Sequence, residues 1–169
     1  MAKKIAFIIL IIATVLWTAF IFSNSLDNAE ESTEKSSTVT EAVNKVASAV
    51  GIEEEISHST VRDMAHFTEF ALLALLLAVD IVILIYSKLS SSPFKLLAIC
   101  AASLPACFIL ACVDELIQKF SGGRASQFSD VLLDTLGALC GVIGFSVIYI
   151  IFYAIKRHKL KLRINRQKQ

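Results

Sequence analysis

Charge is scarce in this chain. Only 18% of its 169 residues are Asp, Glu, Lys or Arg, whereas 56% are hydrophobic and mean hydropathy is +0.68. A soluble domain of that length needs a charged and mixed surface, so the scarcity argues against one. No CxxC pair occurs. The four cysteines, Cys100, Cys107, Cys112 and Cys140, all fall in apolar stretches and read as small buried hydrophobes, not as a disulfide framework. With no cysteine beside His66, the sequence also gives no reason to expect a metal or any other cofactor. The apolar runs lack the alternation of barrel strands. No G-x-S-x-G nucleophile motif and no internal repeat are present. Basic residues without interleaved aromatics exclude a nucleic-acid surface.

What is present is four apolar stretches, at about 5–22, 67–86, 96–113 and 131–153. Each is long enough to cross a hydrocarbon core of about 30 Å as a helix, the only form in which a single run satisfies its own backbone in lipid. Basic residues set the direction. With the N-terminus inside, eleven of the sixteen Lys and Arg are internal: Lys3, Lys4, Lys88, Lys95 and seven from Lys156 to Lys168. Fourteen of the fifteen acids fall outside, Asp80 being the exception. The expected fold is therefore an all-α, four-helix membrane bundle over 1–155. Both termini are cytoplasmic, a long extracellular loop spans 23–61, and a basic tail at 156–169 rests on anionic lipid.

The first run follows Lys3 and Lys4 and precedes Ser23-Asn24-Ser25, a pattern shared with cleaved signal peptides. At 18 residues it is longer than the roughly 7–15 of a signal core, so it is read as a retained span. Within the outer loop, Val39, Val43, Val46 and Val50 recur at helical spacing. They suggest either an amphipathic helix on the membrane surface or against the bundle, or a loop with little order.

The informative residues are those a membrane helix should lack. Arg62, His66, Glu69 and Asp80 share one helical face, since the eighteen residues from Arg62 to Asp80 are about five turns. Asp80 must be protonated, hydrated, or bonded to a neighbouring helix. Asp114, Glu115 and Gln118 lie within one turn of one another. After the glycine pair Gly122-Gly123 come Arg124, Ser126, Ser129, Asp130 and Asp134. Gly137, Gly141 and Gly144 then form a stripe that admits a close helix neighbour. In the expected topology Arg62, His66, Glu69, Asp114, Glu115, Gln118, Arg124, Asp130 and Asp134 gather at the outer end of the bundle. Such a set is either a salt-bridge cluster pinning helix ends or a recognition or reaction site.

WTAFIFSNS from Trp17, RDMAHFTEFALLALLL from Arg62, DELIQKFSGGR from Asp114 and SDVLLDTLGALCG from Ser129 resemble the VanZ-like membrane protein family. The ordered motifs H-x-x-E-F, D-E-x-x-Q…G-R and D-x-x-x-D-x-x-G carry the likeness, which covers Trp17 to about Phe152. The resemblance implies a bacterial cell-envelope protein that keeps its first helix. The family's namesake is associated with low-level resistance to the lipoglycopeptide teicoplanin. The resemblance makes His66, Glu69, Asp114, Glu115, Gln118, Arg124, Asp130 and Asp134 characteristic positions and leaves Asp80 outside the pattern. It brings no catalytic assignment.

Three functions compete. In the first, Arg62 and Arg124 grip the phosphate or carboxylate of an envelope lipid, glycolipid, lipid-linked precursor or lipid-tailed glycopeptide. In the second, an enzyme uses His66 as general acid or base on a lipid-linked phosphate; without a nucleophile motif this ranks lower. The third is a transporter or flippase subunit, for which four spans without symmetry are few. All three require sidedness. Labelling from either face of the membrane should place Glu69 and Asp130 on the same, outer side.

Overall fold

Long runs of Leu, Ile, Val and Ala with few glycines favour helices wherever the backbone is shielded from water. The computed structural model describes residues 2–27, 29–51, 55–85, 100–121 and 127–167. Among them are five helices: α1 Ala2–Ser25, α2 Ala29–Ala49, α3 His58–Ile85, α4 Ser103–Phe120 and α5 Phe128–Gln167. Three helices are long and apolar enough to cross a membrane, over Lys4–Ser25, His58–Leu84 and Phe128–Asn165. The chain is an all-α, multi-span membrane protein. Exposed Ile8, Ile9, Ile12 and Leu16 on α1, and Ile143, Val147 and Ile151 on α5, suit a lipid-facing surface.

The remaining expected span, 96–113, overlaps α4. Its early residues fall in 86–99, outside the described residues, as do Lys88 and Lys95. The described helix α4 begins at Ser103 and carries Asp114, Glu115 and Lys119 among its 18 residues, which keeps it out of the set of apolar crossing helices. Pro105 is tolerated because it lies in the first turn, where backbone N–H groups have no helical partner.

Two segments differ from the sequence reading. The 23–61 segment, expected as an outer loop holding either a short amphipathic helix or little order, takes the helical alternative in longer form, as the 21-residue α2, and also holds the first turn of α3. Glu30 and Glu31 at the start of α2 meet the positive end of its dipole, and Gly51, at φ +86°, supplies the left-handed residue that ends it. The face of α2 that is covered is not the valine stripe: Val39, Val46 and Val50 are exposed, while Thr40 and Ala47 are buried. Asn44 fixes the connection to α3, donating to the Ile56 carbonyl at 3.1 Å and accepting from the Ile56 N–H at 2.8 Å. The second difference is the tail. No proline or glycine follows Gly144, so α5 runs on through the basic residues to Gln167, its Lys and Arg favourably placed at a helix C-terminus.

α3 is the central element. It packs against all four other helices, most extensively α5. Phe70, Leu73, Ala74, Ala78 and Val82 form its buried face, joined by Ile21, Cys107, Ala111, Val131, Ala138 and Val142. Of the cysteines, Cys100 and Cys107 are buried as expected, Cys112 is half-buried, and Cys140 is exposed on the apolar face of α5. Asp80 is buried, and Thr14 of α1 donates a hydrogen bond to its Oδ2 at 2.7 Å. Of the alternatives open for Asp80, a bond to a neighbouring helix is found at Oδ2, while the buried Oδ1 has no hydrogen-bond partner among the described residues.

Two glycines set the α3–α5 distance. A methyl group on Gly137 would overlap the Phe67 carbonyl, and one on Gly141 the Ala71 carbonyl, whereas one on Gly144 would meet nothing. Overpacking against backbone costs about 1–3 kcal/mol. Gly137→Ala and Gly141→Ala should therefore each lower the unfolding midpoint of the purified protein in detergent. Gly144→Ala should leave it unchanged or slightly raised.

Candidate functional site

The close α3–α5 approach positions the site. His66 and Glu69 lie one turn apart on α3, Asp114 and Gln118 one turn apart on α4, and Asp130 and Asp134 one turn apart on α5. The three pairs meet at one end of the bundle. His66 Nδ1 stands 3.8 Å from Glu69 Oε2 and 3.8 Å from Asp114 Oδ2. One ligand-type atom each from His66, Asp114 and Asp134 lies within 4.8 Å of the other two. The sequence placed all three residues in one expected cluster, but it singled out no metal-compatible trio, because the three come from three helices and share no local motif.

Each carboxylate has its own surroundings. Asp114 is fully buried; it accepts from Ser25 Oγ at 2.6 Å and from Gln118 Nε2 at 2.8 Å. Glu69 accepts from Asn24 Nδ2 at 3.0 Å, and its backbone carbonyl accepts from Trp17 Nε1 at 3.0 Å. Glu115 turns away from Gln118 and caps the approach to α5, accepting the Gln127 N–H at 2.7 Å. Its convergence with Asp114 and Gln118, allowed by spacing, is therefore only partial. Asp134 is 4% exposed and, among the described residues, accepts no hydrogen bond. Asp130 is half-buried and within reach of the Ser129 hydroxyl at 3.0 Å.

Two spaces adjoin these groups. One, of about 10 Å³, is lined by Arg62, Asp63, His66, Gln118, Asp130, Leu133 and Asp134. The other is a groove of about 220 Å³ between α1, α2 and α3, lined by Asn24, Asp27, Lys35, Val39, Arg62, His66 and Glu69 among others. Lys35 is paired with Asp27 at 2.8 Å. Arg62, which borders both spaces, forms no ion pair among the described residues.

Eight of the nine expected site residues are brought to this end of the bundle. Arg124 lies outside the described residues. Asp80 is separate, held by α1. The sequence reading omitted Asn24, Ser25 and Trp17, all on α1, and Asp63 on α3. The first three had a readable signal: they lie seven and eight residues apart along one face of α1, two turns that carry its polar groups toward the same end.

The family model for VanZ/LLP1 matches residues 9–153. The chain belongs to the VanZ/LLP1 family. That match begins inside α1 and ends inside α5, so it takes in every side chain of the site. No curated protein and no solved structure matches the chain. The site of this VanZ/LLP1 protein thus rests on its own geometry.

The bond from Ser25 to Asp114 ties α1 to α4 through a buried, charge-assisted contact. Removing one partner of such a bond costs about 1–3 kcal/mol. Ser25→Ala should lower the unfolding midpoint accordingly, whereas Ser129→Ala, at an exposed position, should change stability by less than about 0.5 kcal/mol.

Proposed function

We propose that this VanZ/LLP1 protein binds the polar head of an envelope lipid, glycolipid or lipid-tailed glycopeptide at the outer leaflet, and in that way contributes to resistance against lipoglycopeptides such as teicoplanin. The proposal takes the chain as four spans with both termini cytoplasmic, α2 external and the site beneath the outer surface. The observation that carries it is Arg62. A guanidinium without an ion pair among the described residues borders a groove of about 220 Å³ that leads to His66 and Glu69. Guanidinium binds phosphate and carboxylate oxygens through paired hydrogen bonds. Arg62 grips the oxyanion, Arg124 supplies a second guanidinium, and Asn24 and the carboxylates meet sugar or peptide hydrogen-bonding groups. The ligand's lipid tail stays among the exposed apolar side chains of the helices, where it loses nothing by leaving the bilayer.

A second reading treats the protein as a membrane enzyme on a lipid-linked phosphate, with His66 as general acid or base. It is favoured by the position of His66 Nδ1, 3.8 Å from a carboxylate oxygen of Glu69 and 3.8 Å from one of Asp114, since nearby carboxylates favour the protonated imidazole that a general acid needs. The transporter or flippase reading is weaker. A polar path along α3 from Arg62 to Asp80 would suit transport, but the Asp80 carboxylate is engaged by Thr14 of α1.

Binding of a lipoglycopeptide to the purified protein in nanodiscs tests the first reading. A hydrogen bond to a charged group contributes about 1.5–3 kcal/mol, so Arg62→Ala should weaken binding by about ten-fold or more, with Arg62→Lys recovering part of it. Unchanged binding in both Arg62→Ala and Arg124→Ala would rule out an oxyanion grip. The enzyme reading instead requires turnover of a lipid-linked phosphate that stops in His66→Ala.

A further inference from the structure

We infer that His66, Asp114 and Asp134 form a binding site for a first-row divalent cation, with Glu69 as a fourth donor at its edge.

Geometry comes first. The three donor atoms lie within 4.8 Å of one another, while ligands around a tetrahedral ion with bonds of about 2.1 Å sit roughly 3.4 Å apart. Side-chain rotations that move each donor by at most about 0.8 Å close the difference. All three residues stand on helices, and α3 and α5 are locked by glycine contacts. Preorganised elements of this kind hold a metal site better than loops do.

Asp134 is 4% exposed and accepts no hydrogen bond among the described residues, and such a carboxylate is costly to bury as an anion without a counter-ion. It lines, together with His66, a cavity of about 10 Å³, room for one particle the size of a water molecule or a cation. Asp114 is satisfied on its outer sides by Ser25 and Gln118, the arrangement that fixes a metal-ligating carboxylate from behind.

Charge agrees. Among the described residues the cavity is lined by three carboxylates, Asp63, Asp130 and Asp134, and one guanidinium, Arg62, and Asp114 and Glu69 each stand 3.8 Å from His66. At an effective dielectric of about 20, two like charges 5 Å apart repel by on the order of 3 kcal/mol. A divalent cation turns that repulsion into attraction for every member at once. One imidazole with two or three carboxylates selects ions such as Mn²⁺ or Zn²⁺ over Mg²⁺ and Ca²⁺, which prefer oxygen alone. This inference does not rest on the head-group reading, since it is tested with no lipid phosphate present.

The experiment uses the full-length chain in a phosphate-free maltoside detergent, stripped with EDTA and titrated with Mn²⁺. One Mn²⁺ should bind per chain, and Zn²⁺ should displace it. Asp134→Asn and His66→Gln should each weaken Mn²⁺ binding at least ten-fold, with the helical circular dichroism retained. A readout that leaves the site intact comes from the H58A/H158A chain, in which His66 is the only histidine of the three left. Its bound Mn²⁺ should show the nitrogen coupling of a single imidazole in electron spin-echo spectra. Binding well below one equivalent, absence of that coupling, or unchanged affinity in folded Asp134→Asn would each overturn the site.

Discussion

The contact between α3 and α5 governs the rest of this molecule. Gly137 and Gly141 have no side chain to hold the α3 backbone away, so the two helices meet at backbone distance. In lipid, apolar side chains gain little from meeting one another, and close packing of small residues is what brings helices together. The same approach carries Asp134, one turn before Gly137, to His66, one residue before Phe67. A contact made for packing therefore also assembles the polar end of the bundle.

Polar groups at that end divide by what satisfies them. Ser25 and Gln118 hold Asp114; Asn24 and Trp17 hold Glu69; Glu115 holds the backbone before α5. These bonds cross from α1 to α3, from α1 to α4 and from α4 to α5, so they act as fasteners between helices whose apolar faces are turned to lipid. Asp134 and Arg62 stand outside the fastening network, one buried against His66 and the other bordering the groove. The cluster thus divides into residues bonded between helices and residues, Asp134 and Arg62, that stand apart from those bonds.

Most of the helical layout was legible in the sequence, because length and hydropathy of a run are local properties. Boundaries were less so. The start of α3 at His58 and the continuation of α5 to Gln167 involve polar residues with good helical propensity, which a search for apolar runs stops short of. α2 shows the limit more sharply. Its valines have helical spacing, yet Thr40 and Ala47 are the buried positions; the Thr40 hydroxyl can be covered because it donates to the Ser36 carbonyl within the helix, and which face is covered depends on where α3 lies.

The sequence by itself determined that the chain is helical and membrane-spanning, that its cysteines form no disulfide framework, and which polar residues stand out against the apolar background. Those properties follow from composition and period. Only the tertiary structure decided that Asp80 turns to Thr14, that Glu115 serves the backbone, that α1 contributes Trp17, Asn24 and Ser25, and that His66, Asp114 and Asp134 come within 4.8 Å of one another. Each of those joins residues from different helices, and a distance between helices is set by packing, which no spacing along one helix encodes.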